Sequence, residues 1–132
     1  MKYLLGTCTV SDFVKGLPNV LLRVKAYPPD LIAVSTLTRM EVAYGLALNP
    51  ARADKLAPVL QAFFAVIATL PFDAADAQAA AAIRAALKIQ GQPIGAYDVL
   101  IAGTALARGL VIVTSNVGEF RRVGGLQVED WR

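Results

Sequence analysis

Four short apolar runs, Tyr3 to Leu5, Leu31 to Val34, Val66 to Leu70 and Leu110 to Val113, recur along this chain without the polar–apolar alternation of a half-solvated strand. A run rich in Val, Ile and Leu with no polar face must bury both faces, and a parallel sheet with helices above and below does this. The segments between the runs read as helices, and strands alternating with helices imply βαβ crossovers in an open sheet. The expected fold class is therefore α/β, three layers around a central, largely parallel sheet. At 132 residues and 56% hydrophobic content, the chain can bury a core without staples. No repeat or low-complexity linker divides it, so one domain is expected over residues 1–132.

Helix punctuation supports this outline. Asp73 is placed to cap an alanine-rich helix, with Asp76 in its first turn, Arg84 and Lys88 near its end and Gly91 just past it. Another helix is expected from Ala96 through Leu106, stopping at Gly109. A third follows the Leu31 run, where Thr38 and Glu41 stand in capping-box spacing. Pro58 predicts a kink, or two shorter helices, between Arg52 and Phe64. Gln127 to Trp131 suits an edge strand.

Composition narrows the chemistry. The chain has no histidine, which removes imidazole general bases, serine and cysteine triads that need one, and histidine-bound zinc. Its single cysteine, Cys8, cannot form an internal disulfide and fits a reducing compartment; with no histidine partner it reads as a small buried thiol. The apolar run at the N-terminus is too short for a secretory or membrane-spanning segment, so a cytoplasmic protein is expected. A net charge of +3 and a pI near 9.2 are compatible with a polyanionic partner. Gly6, Gly45 and Gly95 stand alone, which disfavours a glycine-rich phosphate loop.

The remaining chemistry rests on carboxylates. Glu41 is expected on the inward face of its helix with Leu37, Tyr44, Gly45 and Leu48, or else completes a capping box with Thr38. Asp98 stands in the first turn of the helix that carries Ile101, Ala102 and Ala105, where an ordinary first-turn Asp is also favoured. Asn116 follows the Leu110 run, at the strand end where open α/β sheets bind ligands, a position that also suits a plain turn residue. Glu119 either adds a carboxylate to the same crevice or caps a short helix before Phe120. Carboxylates converging there without histidine suit a hard cation such as Mg²⁺ or Mn²⁺.

The segments Tyr3-Leu4-Leu5-Gly6-Thr7, Ser35-Thr36 through Glu41, Ile94-Gly95 through Asp98 with Leu100-Ile101-Ala102, and Thr114-Ser115-Asn116 to Phe120 resemble the PIN-domain ribonuclease toxins of the VapC type. The Asp73-headed helix and the tail from Gly124-Gly125-Leu126 through Glu129-Asp130-Trp131 extend the likeness nearly end to end. The resemblance implies a PIN-like fold and a Mg²⁺- or Mn²⁺-dependent endoribonuclease acting on RNA, usually homodimeric and neutralised by a VapB-type antitoxin. The family's acidic quartet falls on Gly6, Glu41, Asp98 and Asn116, with Glu119 beside them as a further candidate ligand. Glycine therefore stands at position 6 where the family carries Asp, and little or no cleavage is expected from this chain. The alternative is a catalytically dead module that binds RNA or antitoxin. A phosphotransfer receiver is disfavoured, because Gly6 and Asn116 occupy the places of its paired acids and its lysine. Arg39, Arg121 and Arg122 flank the motifs and are candidates for RNA phosphate contacts or for plain solubility. Asp12 is left outside the site.

Overall fold

The computed structural model describes residues 1–132. Its strands are β1 (Tyr3–Leu5), β2 (Ile32–Ser35), β3 (Ala68–Leu70), β4 (Val111–Val113) and β5 (Val128–Glu129). They form one sheet in the order β3-β2-β1-β4-β5, and every pairing is parallel. The helices are α1 (Thr7–Val14), α2 (Pro18–Ala26), α3 (Thr36–Ala47), α4 (Pro50–Val66), α5 (Ala74–Ile89), α6 (Ala96–Arg108) and the short α7 (Val117–Phe120). The chain runs outward from β1 through β2 to β3, then returns to the other side of β1 for β4 and β5. The switch point lies between β1 and β4.

The unalternating runs have the explanation their composition suggests. Tyr3, Leu5, Ile32, Val34, Val111 and Val113 join one core with Val10, Val20, Leu60 and Phe63. Leu4, Ala33 and Ile112 join a second core with Ile83, Leu87, Ile101 and Ala105. Alternate residues of each strand thus enter opposite layers, α1, α2 and α4 on one side and α5 and α6 on the other. Leu4, Leu5 and Ile112 are wholly buried, and each such side chain contributes roughly 1.5–3 kcal/mol of apolar burial. No helix is long and apolar enough to cross a membrane.

Local expectations meet the structure unevenly. Asp73 and Asp76 form a reciprocal capping box on α5. Gly109 takes the left-handed conformation, φ 67°, that ends α6 just before β4. Residues 127–131 contribute the edge strand β5. Pro58, by contrast, does not divide its segment, and α4 runs unbroken through it. Asp54, four residues earlier, is exposed, so water can satisfy the carbonyl that a proline nitrogen leaves without a donor. The α3 cap also differs. Ser35 is its N-cap, accepting from the Thr38 amide at 3.1 Å, so Thr38 lies inside the helix and forms no capping box with Glu41. The inward row of α3 is Thr38, Val42 and Leu46, whereas Tyr44 and Leu48 are 64% and 68% exposed. Glu41 is half-buried at the edge of that row, beside Leu37 and Val42.

The second core depends on close contact between α5 and α6. A Cβ at Gly103 would lie 2.8 Å from the Ala80 side chain and 2.9 Å from the Ala80 nitrogen and the Asp76 carbonyl. Two of those neighbours are backbone, so the helices must part to admit a methyl group. Gly103→Ala is expected to destabilise the fold by about 1–3 kcal/mol, despite alanine's better helix propensity. Urea denaturation of the two proteins checks this, and an unchanged midpoint would contradict the packing argument.

Candidate active site

The C-terminal ends of β1, β2 and β4 bring four candidate positions to the switch point. Gly6 follows β1 and is the N-cap of α1; Glu41 projects from α3; Asn116 follows β4 and precedes α7. Asp98 arrives from the first turn of α6. These four line one pocket of about 250 Å³ together with Thr7, Cys8 and Thr114. Glu119, on α7, adjoins it through Asn116.

Hydrogen bonds hold the polar side chains on two sides. On one, the Thr7 hydroxyl donates to Glu41 Oε1 at 2.8 Å. On the other, Asn116 Nδ2 donates to Glu119 Oε2 at 2.8 Å and lies 3.5 Å from Asp98 Oδ2. Thr114 Oγ1 accepts from the Asn116 amide at 2.9 Å, which sets the turn that aims Asn116 inward. Of the two readings open for Glu119, the structure shows the one in which its carboxylate reaches the crevice.

Crowding of carboxylates sets the electrostatics. Asp98 is raised to about 7, first by burial, then by its hydrogen bond and charge interaction with Glu119, with Glu41 adding to the repulsion. Glu119 is lowered, chiefly by that same hydrogen bond from Asp98, helped by Asn116 and the Gly95 amide. The pair therefore keeps one proton near neutrality, with Asp98 as donor.

Position 6 marks the gap. Gly6 has φ −74° and ψ 169°, extended geometry that any residue adopts, and no side chain caps α1. A Cβ there would lie 3.6 Å from the Thr114 Cβ, an ordinary contact, and 3.2 Å from the Val113 carbonyl oxygen, a tight one for which that strand end must give by a few tenths of an ångström. An Asp would occupy an N-cap position that favours it. As the chain stands, no three His, Cys, Asp or Glu side chains converge closely enough to hold a metal ion. The donors present, carboxylate, amide and hydroxyl oxygens, suit a hard cation in kind.

Cys8 is not the buried thiol its sequence context suggested. It is half-buried in the first turn of α1 and lines the pocket, with Sγ 3.3 Å from Thr114 Oγ1 and accepting from the Ser115 amide at 3.3 Å. Burial opposes its thiolate, but these donors outweigh burial and lower the thiol below its usual value. Asp12 is indeed apart from the pocket, buried and paired with Arg132 at 2.7 Å. A cavity of about 450 Å³, mostly apolar, lies between Arg84, Leu87 and Ile94 and shares no lining residue with the carboxylate pocket.

A three-layer parallel α/β domain with acidic side chains at the switch point defines the class, and the PIN domain pattern matches residues 3–126. The chain is 39% identical to the tRNA(fMet)-specific endonuclease VapC of Shigella flexneri, over 99% of this chain and 98% of that protein. It is 31% identical to ribonuclease VapC2 of Haemophilus influenzae (strain ATCC 51907 / DSM 11121 / KW20 / Rd), with the same coverage. Among solved structures, DNA-bound VapBC from Salmonella typhimurium superposes with a TM-score of 0.91 at 36% identity, covering 100% of this chain and 99% of that one. VapBC-5 of Mycobacterium tuberculosis, a member of the VapBC family of toxin-antitoxin systems, superposes with a TM-score of 0.71 at 27% identity, covering 99% and 98%. The chain belongs to the VapC ribonucleases of the PIN-domain family.

The protonation of Asp98 makes stability depend on pH. An Asp raised in the folded state is easier to protonate there than in the unfolded chain, so its cost to stability sets in above the ordinary value of 3.8 and is complete above about 7. Asp98→Asn removes that cost. The variant is expected to be more stable by about 1 kcal/mol at pH 8, after discounting for the half-exposed side chain, with the gain shrinking as pH falls from 7 towards 4. Thermal melts of both proteins across that range check the sign; a gain that grows on acidification would contradict it.

Proposed function

We propose that this protein is a toxin component of a VapBC-type toxin–antitoxin system, built to cleave RNA at the switch-point pocket and disabled by Gly6. The observation that carries the reading is the gathering of Glu41, Asp98, Asn116 and Glu119 around a backbone position that could bear a carboxylate and does not. The tRNA named for its Shigella flexneri relative makes a structured RNA the first substrate to try. The VapBC assemblies of its structural relatives supply the expected partner, a VapB-type antitoxin, and a homodimer of the toxin is part of the same reading.

In this reading Asp98, Glu41 and an acidic side chain at position 6 hold Mg²⁺ or Mn²⁺, with Asn116 and Glu119 positioned to steady them or accept from bound water. Such an ion, when bound, supplies Lewis-acid polarisation of a phosphodiester and lowers the pKa of an attacking water. The chain's own groups do the rest. Thr7 fixes the Glu41 carboxylate, Asn116 orients Glu119, and the Asp98–Glu119 pair holds the proton that must leave when a cation enters. At the N-terminus of α6 the Gly95 amide donates to Glu119. Without a side chain at position 6, the β1 side of the pocket offers nothing to complete the set.

The same observation favours a second reading, a module that binds RNA or antitoxin and no longer cuts. The two separate on one substitution. Gly6→Asp is expected to fold normally, to bind Mn²⁺ more tightly, and to cleave cellular RNA about a thousandfold faster than this chain, as a gain of roughly 4 kcal/mol in transition-state stabilisation implies. Chelation should abolish the activity. Mapping cuts in total RNA with both proteins tests this, and an inert Gly6→Asp protein would leave the binding module as the better account.

A further inference from the structure

A second groove opens directly off the carboxylate pocket. It is bounded by α1, α3 and α4, and it shares Thr7 and Glu41 with the pocket. Three helices present regularly spaced rows to it: Thr7, Ser11 and Lys15 from α1, Glu41 and Gly45 from α3, and Arg52, Leu56 and Leu60 from α4. Spacings of four residues place each row on one helix face. At about 160 Å³ the groove is smaller than the usual pocket for a compact small molecule and suits a length of extended chain.

Two cations border it. Lys15 and Arg52 are exposed, and neither side chain takes part in any of the ion pairs, side-chain hydrogen bonds or aromatic contacts of the protein. Two of the arginines that flank the sequence motifs are engaged elsewhere. Arg39 lies over the Phe64 ring at 4.6 Å and donates to Thr69, and Arg122 donates to the Pro93 carbonyl. Arg84 and Lys88 line the large apolar cavity, which does not meet the carboxylates.

Gly45 points to a ligand independently. It lies inside α3, where glycine weakens a helix, yet an added Cβ would meet nothing within 4 Å. Neither φ nor packing within the protein calls for glycine there. What its absent side chain preserves is open space on the groove wall, one turn beyond Glu41.

We propose that this groove carries the RNA strand as it leaves the carboxylate pocket, with Lys15 and Arg52 as phosphate-binding residues and Gly45 as the point where the strand comes closest to backbone. The proposal rests on the ribonuclease reading above. Unpaired cations on both walls match a phosphodiester, and Val42, Leu46, Leu56 and Leu60 give an apolar floor for sugar and base.

The test uses a fluorescein-labelled single-stranded RNA of mixed sequence, bound to the full chain at several salt concentrations. Joint Lys15→Gln and Arg52→Gln substitution is expected to weaken binding roughly tenfold and to reduce the slope of log affinity against log salt by about 1.4, two phosphate contacts on a single strand. Lys15→Arg with Arg52→Lys should keep the slope. Gly45→Leu should weaken binding without changing the slope, while its melting temperature stays level or rises, a combination that a purely structural role does not produce. In the Gly6→Asp background the charge-removing pair should raise KM and leave kcat unchanged. If Gly6→Asp cuts RNA while the groove variants bind and cut as their parents do, the groove assignment is wrong and the nuclease reading survives. Should Gly6→Asp not cut and neither chain bind RNA, the nuclease reading falls and takes the groove with it. Loss of antitoxin binding with an intact RNA slope would assign the groove to the protein partner and overturn the proposal.

Discussion

Burial of the parallel sheet on both faces is the constraint from which the site follows. Once β1, β2 and β4 are covered by helices above and below, their side chains have no access to water, and polar groups are confined to the strand ends and the helix starts beyond them. At the switch point the chains leaving β1 and β4 turn to opposite sides, which opens a crevice that no crossover fills. Gly6 and Asn116 stand on its two walls. Glu41 and Asp98 reach it from helices that begin at the same edge. The close seating of α6 on α5 at Gly103 packs the layer that carries Asp98.

Within that crevice, burial of Asp98 is the leading local cost, and repulsion from Glu119 and Glu41 adds to it. Asp98, Glu119 and Glu41 lie near enough that one proton is retained by the Asp98–Glu119 pair near neutrality. An enclosed cation relieves such crowding, which is why an acidic cluster of this kind is both costly to the fold and suited to phosphodiester chemistry. Glycine at position 6 adds no charge to that crowding. The backbone there is ordinary, and the N-cap of α1 is left without a side chain.

Much of the fold was legible in the chain itself. Unalternating runs identified β1 to β4, and the capping signals at Asp73 and Gly109 placed the ends of α5 and α6 closely. Readings that depended on a single local rule fared less well. Pro58 does not break α4, because the carbonyl it deprives of a donor belongs to an exposed turn that water can serve. The capping-box spacing of Thr38 and Glu41 was outcompeted by Ser35, which caps α3 one turn earlier. Packing on that helix also differs from the expected face, with Tyr44 and Leu48 turned to solvent.

The candidate site divides along the same line. Residue type and order along the chain were enough to nominate Glu41, Asp98, Asn116 and Glu119, and the resemblance to the VapC-type toxins singled out Gly6. Only the tertiary structure decided which of them share a pocket wall, that Glu119 turns inward to Asp98, that Cys8 lines the pocket, and that Lys15 and Arg52, unremarkable in sequence, border a groove leading from it. Periodicity and capping act over a turn or two of chain and can be read locally. The perturbed proton at Asp98 and the run of the groove arise from elements far apart in sequence, and exist only once packing brings them to one edge of the sheet.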